Sequence, residues 1–131
     1  MATAESQGLS LDVSSLSGLH WVGIVAALVT AAVHLLLGVR MVLSGTSMGM
    51  GISFILAGLG FLGAIVLVLL DYRRRAVYAV GIPFTLVQIV LWYYVNFVSF
   101  GKPFPGGIGT LGGVDKVAQL VLLGVCVALL R

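Results

Sequence analysis

The chain is poor in charge, in acid and in cysteine. Of its 131 residues only 8% are charged and four are Asp or Glu, where a soluble domain carries about a quarter charged residues. With 60% hydrophobic residues and a mean hydropathy of +1.20, this scarcity excludes a water-soluble enzyme fold, a disordered tail and a secreted disulfide scaffold. The one cysteine, Cys126, forms no internal disulfide, no dithiol redox pair and no cysteine metal cluster. Thiol chemistry of the quinone-linked disulfide oxidase type is thereby excluded. No basic run exceeds three residues, so the net charge of +3 gives no support for nucleic-acid binding. There is also no GxSxG, no HExxH and no convincing Ser, His and Asp set, and the expectation is a protein without catalysis of its own and without a metal site.

What is present is four long apolar runs. A hydrocarbon core needs about 20 apolar residues of helix, and the runs cover 18–39, 50–70, 76–97 and 111–130. The apolar residues show no period-two polar interleaving, and four strands do not close a barrel. The expected fold is therefore all-α, an integral membrane four-helix bundle occupying residues 18–131. Residues 1–17 contain no Lys or Arg, which argues against a cleaved signal peptide. They read as a flexible or interfacial leader.

Orientation follows from the basic residues. With the N-terminus inside, Arg73, Arg74, Arg75 and Arg131 lie in the cytoplasm and Arg40, Lys102 and Lys116 outside. The three consecutive arginines in the tightest loop, 71–75, favour this N-in, C-in arrangement in the cell membrane. The remaining connections are a Ser and Gly loop at 40–49 and a longer one at 98–113. The latter is rich in Gly and Pro and is either a plain solvent loop or a segment dipping into a protein-lined cavity.

Helices in lipid associate through small residues. In the first helix Gly23, Ala27 and Ala31 form one row at four-residue spacing, and Ala26, Thr30, His34 and Gly38 form the adjacent one. In the second, Ala57 pairs with Ser53 and Gly60 with Ala64, so the first two helices are expected to form an intimate hairpin. The third carries Pro83, which favours a kink, and a stripe of Gly81, Thr85, Gln88, Trp92 and Asn96. In the fourth, Asp115, Gln119 and Cys126 share roughly one face, with Asp115 expected near the outer headgroup level.

Together the outer halves of three helices offer His34, Gln88, Trp92, Asn96, Asp115 and Gln119, with Arg40 and Lys116 at the rim. Amide and ionisable groups inside a membrane are costly unless paired. The cluster is either a ligand, ion or proton site or a set of interhelical hydrogen bonds, such as His34 to Gln88, that fixes the bundle. His20 and His34 lie 14 residues apart, within about 40° of one helix face and about 21 Å along the axis. With no other histidine in the chain, a bis-histidine haem b needs a parallel homodimer.

In size and helix count the chain is similar to small multidrug resistance exporters, but the carboxylate expected in the middle of their first helix is missing. The stretches His34-Leu-Leu-Leu-Gly-Val-Arg40, Asp71-Tyr-Arg-Arg-Arg75 and Gly81-Ile-Pro-Phe-Thr-Leu-Val-Gln88 resemble small uncharacterised four-helix membrane proteins of halophilic archaea. That resemblance implies the membrane fold and carries no activity. The leading expectation is an accessory or structural subunit that sits in the lipid bilayer against a membrane-protein partner or as a homo-oligomer. The alternatives are a small oligomeric permease or ligand-binding protein using the outer polar cluster, and a homodimeric haem b carrier.

Overall fold

The computed structural model describes residues 10–131. Four helices follow one another: α1 (Gly18–Ser44), α2 (Met48–Leu69), α3 (Arg74–Tyr93), which continues as a π-helical stretch over Tyr94–Ser99, and α4 (Thr110–Leu130). With the π-helical stretch counted in α3, all four are long and apolar enough to cross a membrane. Of the expected leader, residues 1–9, Glu5 among them, lie outside the described residues.

Several helix ends fall outside the expected bounds, each for a local reason. Helix α1 runs through Arg40 to Ser44 instead of ending at residue 39, because a terminal Arg extends its long stem and keeps its charge exposed. It stops where Gly45 turns left-handed, with φ at 70°. At its start the Ser17 N–H donates to Nδ1 of His20 at 3.0 Å, so a histidine takes the place usually filled by Glu or Gln in a capping box. Helix α3 begins at Arg74, so the α2–α3 connection is shorter than the expected 71–75. Asp71 and Arg73 make that turn in left-handed conformations, φ 51° and 50°. Helix α3 passes through Pro83 without interruption and reaches Ser99 by widening into the π turn.

Arg74 fastens the turn. Its Nε donates to the Val68 carbonyl at 2.9 Å, and it faces the Asp71 carboxylate at 3.3 Å. Its two terminal nitrogens reach Ser15 Oγ at 2.8 Å and the Asp12 carbonyl at 3.1 Å. The Asp12 N–H in turn donates to the Leu69 carbonyl at 2.8 Å. The segment before α1 is thus tied to the end of α2. The Ser14 hydroxyl, bonded to the Asp12 carboxylate at 3.1 Å, holds that acid below its usual range.

Helix α1 is the centre of the bundle, packed extensively on α2 and on α4, while α3 leans mainly on α4 and touches α2 only along a thin seam. Glycine sets the α1–α2 distance. A Cβ at Gly38 would fall 2.8 Å from the Gly51 carbonyl oxygen, and one at Gly58 2.7 Å from Leu35. Gly23, read from sequence as part of the same row, instead receives Val125 of α4, and Gly60 receives the Phe84 ring of α3. Ala27 and Ala31 are buried, while Ala57 and Ala64 are half-buried. Phe84 also meets Phe61 edge to face at 5.1 Å, which closes the α2–α3 seam.

Candidate functional site

The chain's polar interior is concentrated at one level. Thr30 lies 12 residues from Gly18 (30 minus 18), Gln88 14 from Arg74, and Asp115 15 from Leu130. At 1.5 Å per residue these are about 18, 21 and 22 Å, so the three helices bring their polar groups to a common height above the end that carries Arg73, Arg74, Arg75 and Arg131.

There the side chains close a ring. The Thr30 hydroxyl donates to Oδ1 of Asp115, and it accepts from Nε2 of Gln119 at 3.2 Å. Oε1 of Gln119 accepts from the Lys116 ammonium at 2.6 Å. The ammonium also reaches Oδ2 of Asp115 at 2.5 Å. Every member therefore has a fixed donor or acceptor role. The second Nε2 hydrogen of Gln119 goes to Oε1 of Gln88 at 3.0 Å, while Nε2 of Gln88 bonds the Phe84 carbonyl at 3.1 Å. Thr30 and Gln119 are fully buried, Asp115 is 3% exposed, and the Lys116 side chain 11%. Trp92 stands over the ammonium, its ring centroid 5.4 Å from Nζ.

His34 flanks the ring. Its Nδ1 lies 2.8 Å from the Thr30 carbonyl, an oxygen that only accepts, so Nδ1 carries the proton there. The same nitrogen is 3.5 Å from Oδ1 of Asp115. Phe54 and Phe61 pack beside the imidazole with centroids 5.1 and 5.9 Å away.

Of the six residues singled out from sequence, His34, Gln88, Asp115 and Gln119 gather here, and Trp92 roofs the site. Asn96 lies apart. Its amide donates to the Trp92 carbonyl at 2.9 Å and its oxygen accepts from Lys102 at 3.0 Å, which ties the 100–109 loop to the π turn. Arg40 is likewise remote, exposed near the end of α1.

Three expectations are corrected. Lys116 is not at the rim: its side chain is 11% exposed and its ammonium is held between Asp115 and Gln119. Asp115 is not at the helix-end level, because α4 packs with its sixth residue against the middle of α1. A carboxylate therefore does stand beside the centre of the first helix, supplied by the fourth. Third, His34 pairs with Thr30 and Asp115 instead of Gln88. The member that the sequence alone does not assign to the ring is Thr30, which stands in a row of small packing residues. Its signal was a hydroxyl one turn before His34 in the most apolar part of α1.

The histidines do not fit a haem. A macrocycle clasped between two copies needs both imidazoles on the outer surface, whereas His34 is 5% exposed and wedged between aromatic rings. His20 is half-buried with Nδ1 committed to Ser17. Among the described residues no three His, Cys, Asp or Glu side chains converge as metal ligands.

Above the ring, Phe97 meets Trp92, Tyr93 and Phe104 with centroids 5.0 to 5.3 Å away. This aromatic layer is continuous with the 100–109 loop. Lys116 is six residues, about 9 Å, from the start of α4 at that end of the bundle.

Residues 4–130 match DUF7475, a family of unknown function, and the chain belongs to that family. No curated protein and no solved structure matches it.

Proposed function

We propose that the protein is a small integral membrane permease or ligand-binding protein whose site is the Asp115 ring and whose ligand is a small cation of ammonium type. The observation that carries this reading is the buried Asp115–Lys116 pair. A bundle needing only mechanical stability gains little from such a pair, since apolar residues of similar volume are commonly as stabilising or more so. Within a bilayer the same groups are costlier still, and their default reading is a functional one.

The surroundings of Nζ suggest the ligand. A carboxylate oxygen at 2.5 Å, an amide oxygen at 2.6 Å and an indole face at 5.4 Å are the three kinds of partner that an alkylammonium group takes in water-poor sites. Lys116 fills this receptor with its own ammonium. Because its stem is long and enters from the loop end, it can swing outward past Trp92 and yield the place to a free ligand.

The arginine end faces the cytoplasm in this reading. With Lys116 withdrawn into the ring, four basic residues at that end face only Arg40 and Lys102 at the other, a wider margin than the count of loop residues alone. Both termini are then cytoplasmic.

The test is thermal unfolding of the purified protein in lipid nanodiscs with methylammonium, butylammonium, sodium, potassium and tetraphenylphosphonium. Saturable stabilisation by an alkylammonium, lost in Asp115→Asn, is expected. Flux of labelled methylammonium into proteoliposomes then separates a permease from a binding protein. Unchanged melting across the panel, in wild type and in Lys116→Met alike, refutes the reading.

A second reading, an accessory or structural subunit without catalysis, is favoured by the outer face of α3. Val80, Val87, Val90 and Leu91 there are all more than half exposed. Purification in mild detergent with a partner in fixed ratio would support it, and a partner-free homo-oligomer would count against it.

A further inference from the structure

The aromatic layer above the ring ends in a surface that the described residues leave open. Tyr94, Val98, Phe100 and Phe104 are each more than half exposed, and Tyr93 nearly so. Across residues 76–114 Lys102 is the only charged side chain. The other connection at this end of the bundle, residues 44–47, consists of three hydroxyl residues and a glycine, with Ser44 and Thr46 bonded to each other at 2.8 Å. Large rings gathered at one loop and left open mark a surface that meets an apolar partner.

The height of the loop decides what that partner is. Arg74–Ser99 spans 26 residues, at most about 39 Å of helix, against about 40–45 Å for a bilayer with both headgroup layers. With Arg74 and Arg75 in one headgroup layer, Ser99 therefore falls in the other. The loop does not project beyond it. Phe104 turns back onto α3, its ring centroid 5.5 Å from that of Tyr93 and 5.0 Å from that of Phe97. Helix α4 then starts at Thr110, 20 residues (130 minus 110) before Leu130, or about 30 Å above it. Residues 100–109 thus descend from the level of Ser99 to the edge of a hydrocarbon core about 30 Å thick.

The backbone suits that depth. The N–H groups of Phe100 and Lys102 donate to the Val95 and Asn96 carbonyls, and those of Gly107 and Ile108 to the Pro103 and Pro105 carbonyls. Pro103 and Pro105 have no N–H. More than half of the loop therefore presents no free donor, which lowers the cost of leaving bulk water.

We propose that residues 100–109 form an interfacial anchor whose partner is the bilayer surface itself. The rings of Tyr94, Phe100 and Phe104 lie at the boundary between acyl chains and headgroups, where aromatic side chains are enriched. The Lys102 ammonium, bonded to Asn96 at 3.0 Å, keeps its remaining hydrogens for lipid phosphate, while its stem lies along the apolar layer. Because Phe97 links Phe104 to Trp92, the anchor also fixes the roof of the Asp115 ring relative to the bilayer. It rests on the membrane-spanning reading of the four helices and is independent of the ammonium site.

Phe100 is the place to test this, since it is 68% exposed and its replacement disturbs little packing. In a Cys126→Ala background, the full-length protein carrying Phe100→Cys is labelled with a nitroxide and reconstituted into liposomes of phosphatidylcholine and phosphatidylglycerol. Power saturation then reads its collisions with oxygen, which concentrates in lipid, and with a nickel chelate, which stays in water. Val87→Cys on the outer face of α3 and Thr46→Cys in the opposite loop give the lipid and water references. The oxygen-to-nickel ratio at position 100 is expected to lie between the two and several times above that at position 46, with Phe104→Cys in the same range.

A ratio at position 100 equal to that at position 46 places the loop in water and overturns the anchor. Weak collision with both reagents overturns it as well, because a second copy or another protein would then cover the rings. If position 87 itself fails to favour oxygen, the membrane-spanning reading falls and the anchor with it. A lipid-facing position 87 beside an aqueous position 100 refutes the anchor alone.

Discussion

Replacing Lys116 by methionine removes a charge while keeping most of the stem that lies along α4. The Asp115 carboxylate then keeps the Thr30 hydroxyl and the neighbouring His34 but loses the only cation within 2.5 Å. Breaking a buried ion pair from one side costs about 3–5 kcal/mol. The short Asp side chain is fixed against the middle of α1 and is 3% exposed, so a cost within that range is expected. Asp115→Asn is a different case. The orphaned ammonium can extend past Trp92 toward the loop end, and the new amide oxygen still accepts from Thr30. Its expected cost is about 1–2 kcal/mol. The double variant, with no buried charge in the pair, should lie within about 1 kcal/mol of wild type. Reversible unfolding by steric trapping in bicelles measures all three. The diagnostic is therefore asymmetry between the single variants together with strong non-additivity in the double. Equal costs that simply add would mean that the two charges do not share a water-poor site, and the account of the ring would fail with them.

Three further outcomes are expected. Gly38→Ala places a methyl group against the α2 backbone, 2.8 Å from the Gly51 oxygen, and should cost about 1–3 kcal/mol in the same assay. Gly63→Ala and Gly124→Ala, which meet nothing within 4 Å, should be neutral or stabilising by up to about 1 kcal/mol; equal losses at all three positions would deny that the α1–α2 contact is special. Gln88→Leu strands one amide hydrogen of Gln119 and should cost about 1 kcal/mol, whereas a gain in stability would show that the bond to α3 contributes nothing. Arg74→Gln releases the segment before α1, so hydrogen exchange at the Asp12 amide should quicken strongly, and unchanged protection there would show that the segment is held by something other than Arg74.

The four helices were readable because lipid-length apolar runs have few other uses, and their polar stripes were readable because helical periodicity sorts side chains into faces. The convergence of His34, Gln88, Asp115 and Gln119 follows from those two facts. Lys116 was misplaced because a helical wheel separates neighbours i and i+1 by about 100°, and nothing in such a wheel represents a long stem bending back to its neighbour. The height of Asp115 was illegible for another reason. It depends on how far α4 slides along α1, which is set by Val125 seating on Gly23, a contact between residues 102 positions apart. Thr30 reads as a small packing residue in the sequence, and only its place opposite Asp115 gives its hydroxyl a partner. Tyr78 is ordinary by sequence, a tyrosine near a helix end, and only the fold places its oxygen inside.

That the two charges of the ring are neighbours along the chain bears on how the protein is made. Asp115 and Lys116 sit on the same helix, 2.5 Å apart, so α4 carries its counter-ion with it before it has met α1 or α3. Taken as a membrane-spanning segment, α4 can carry its two ionic groups out of the aqueous phase as one neutral dipole, and its entry does not have to wait for a preformed bundle. Thr30, Gln88 and His34 then act only at the later step, when the inserted segments come together. Reversing this economy by moving the lysine to α1 or α3 would leave the finished ring chemically the same but would send an unaccompanied carboxylate across the translocation machinery.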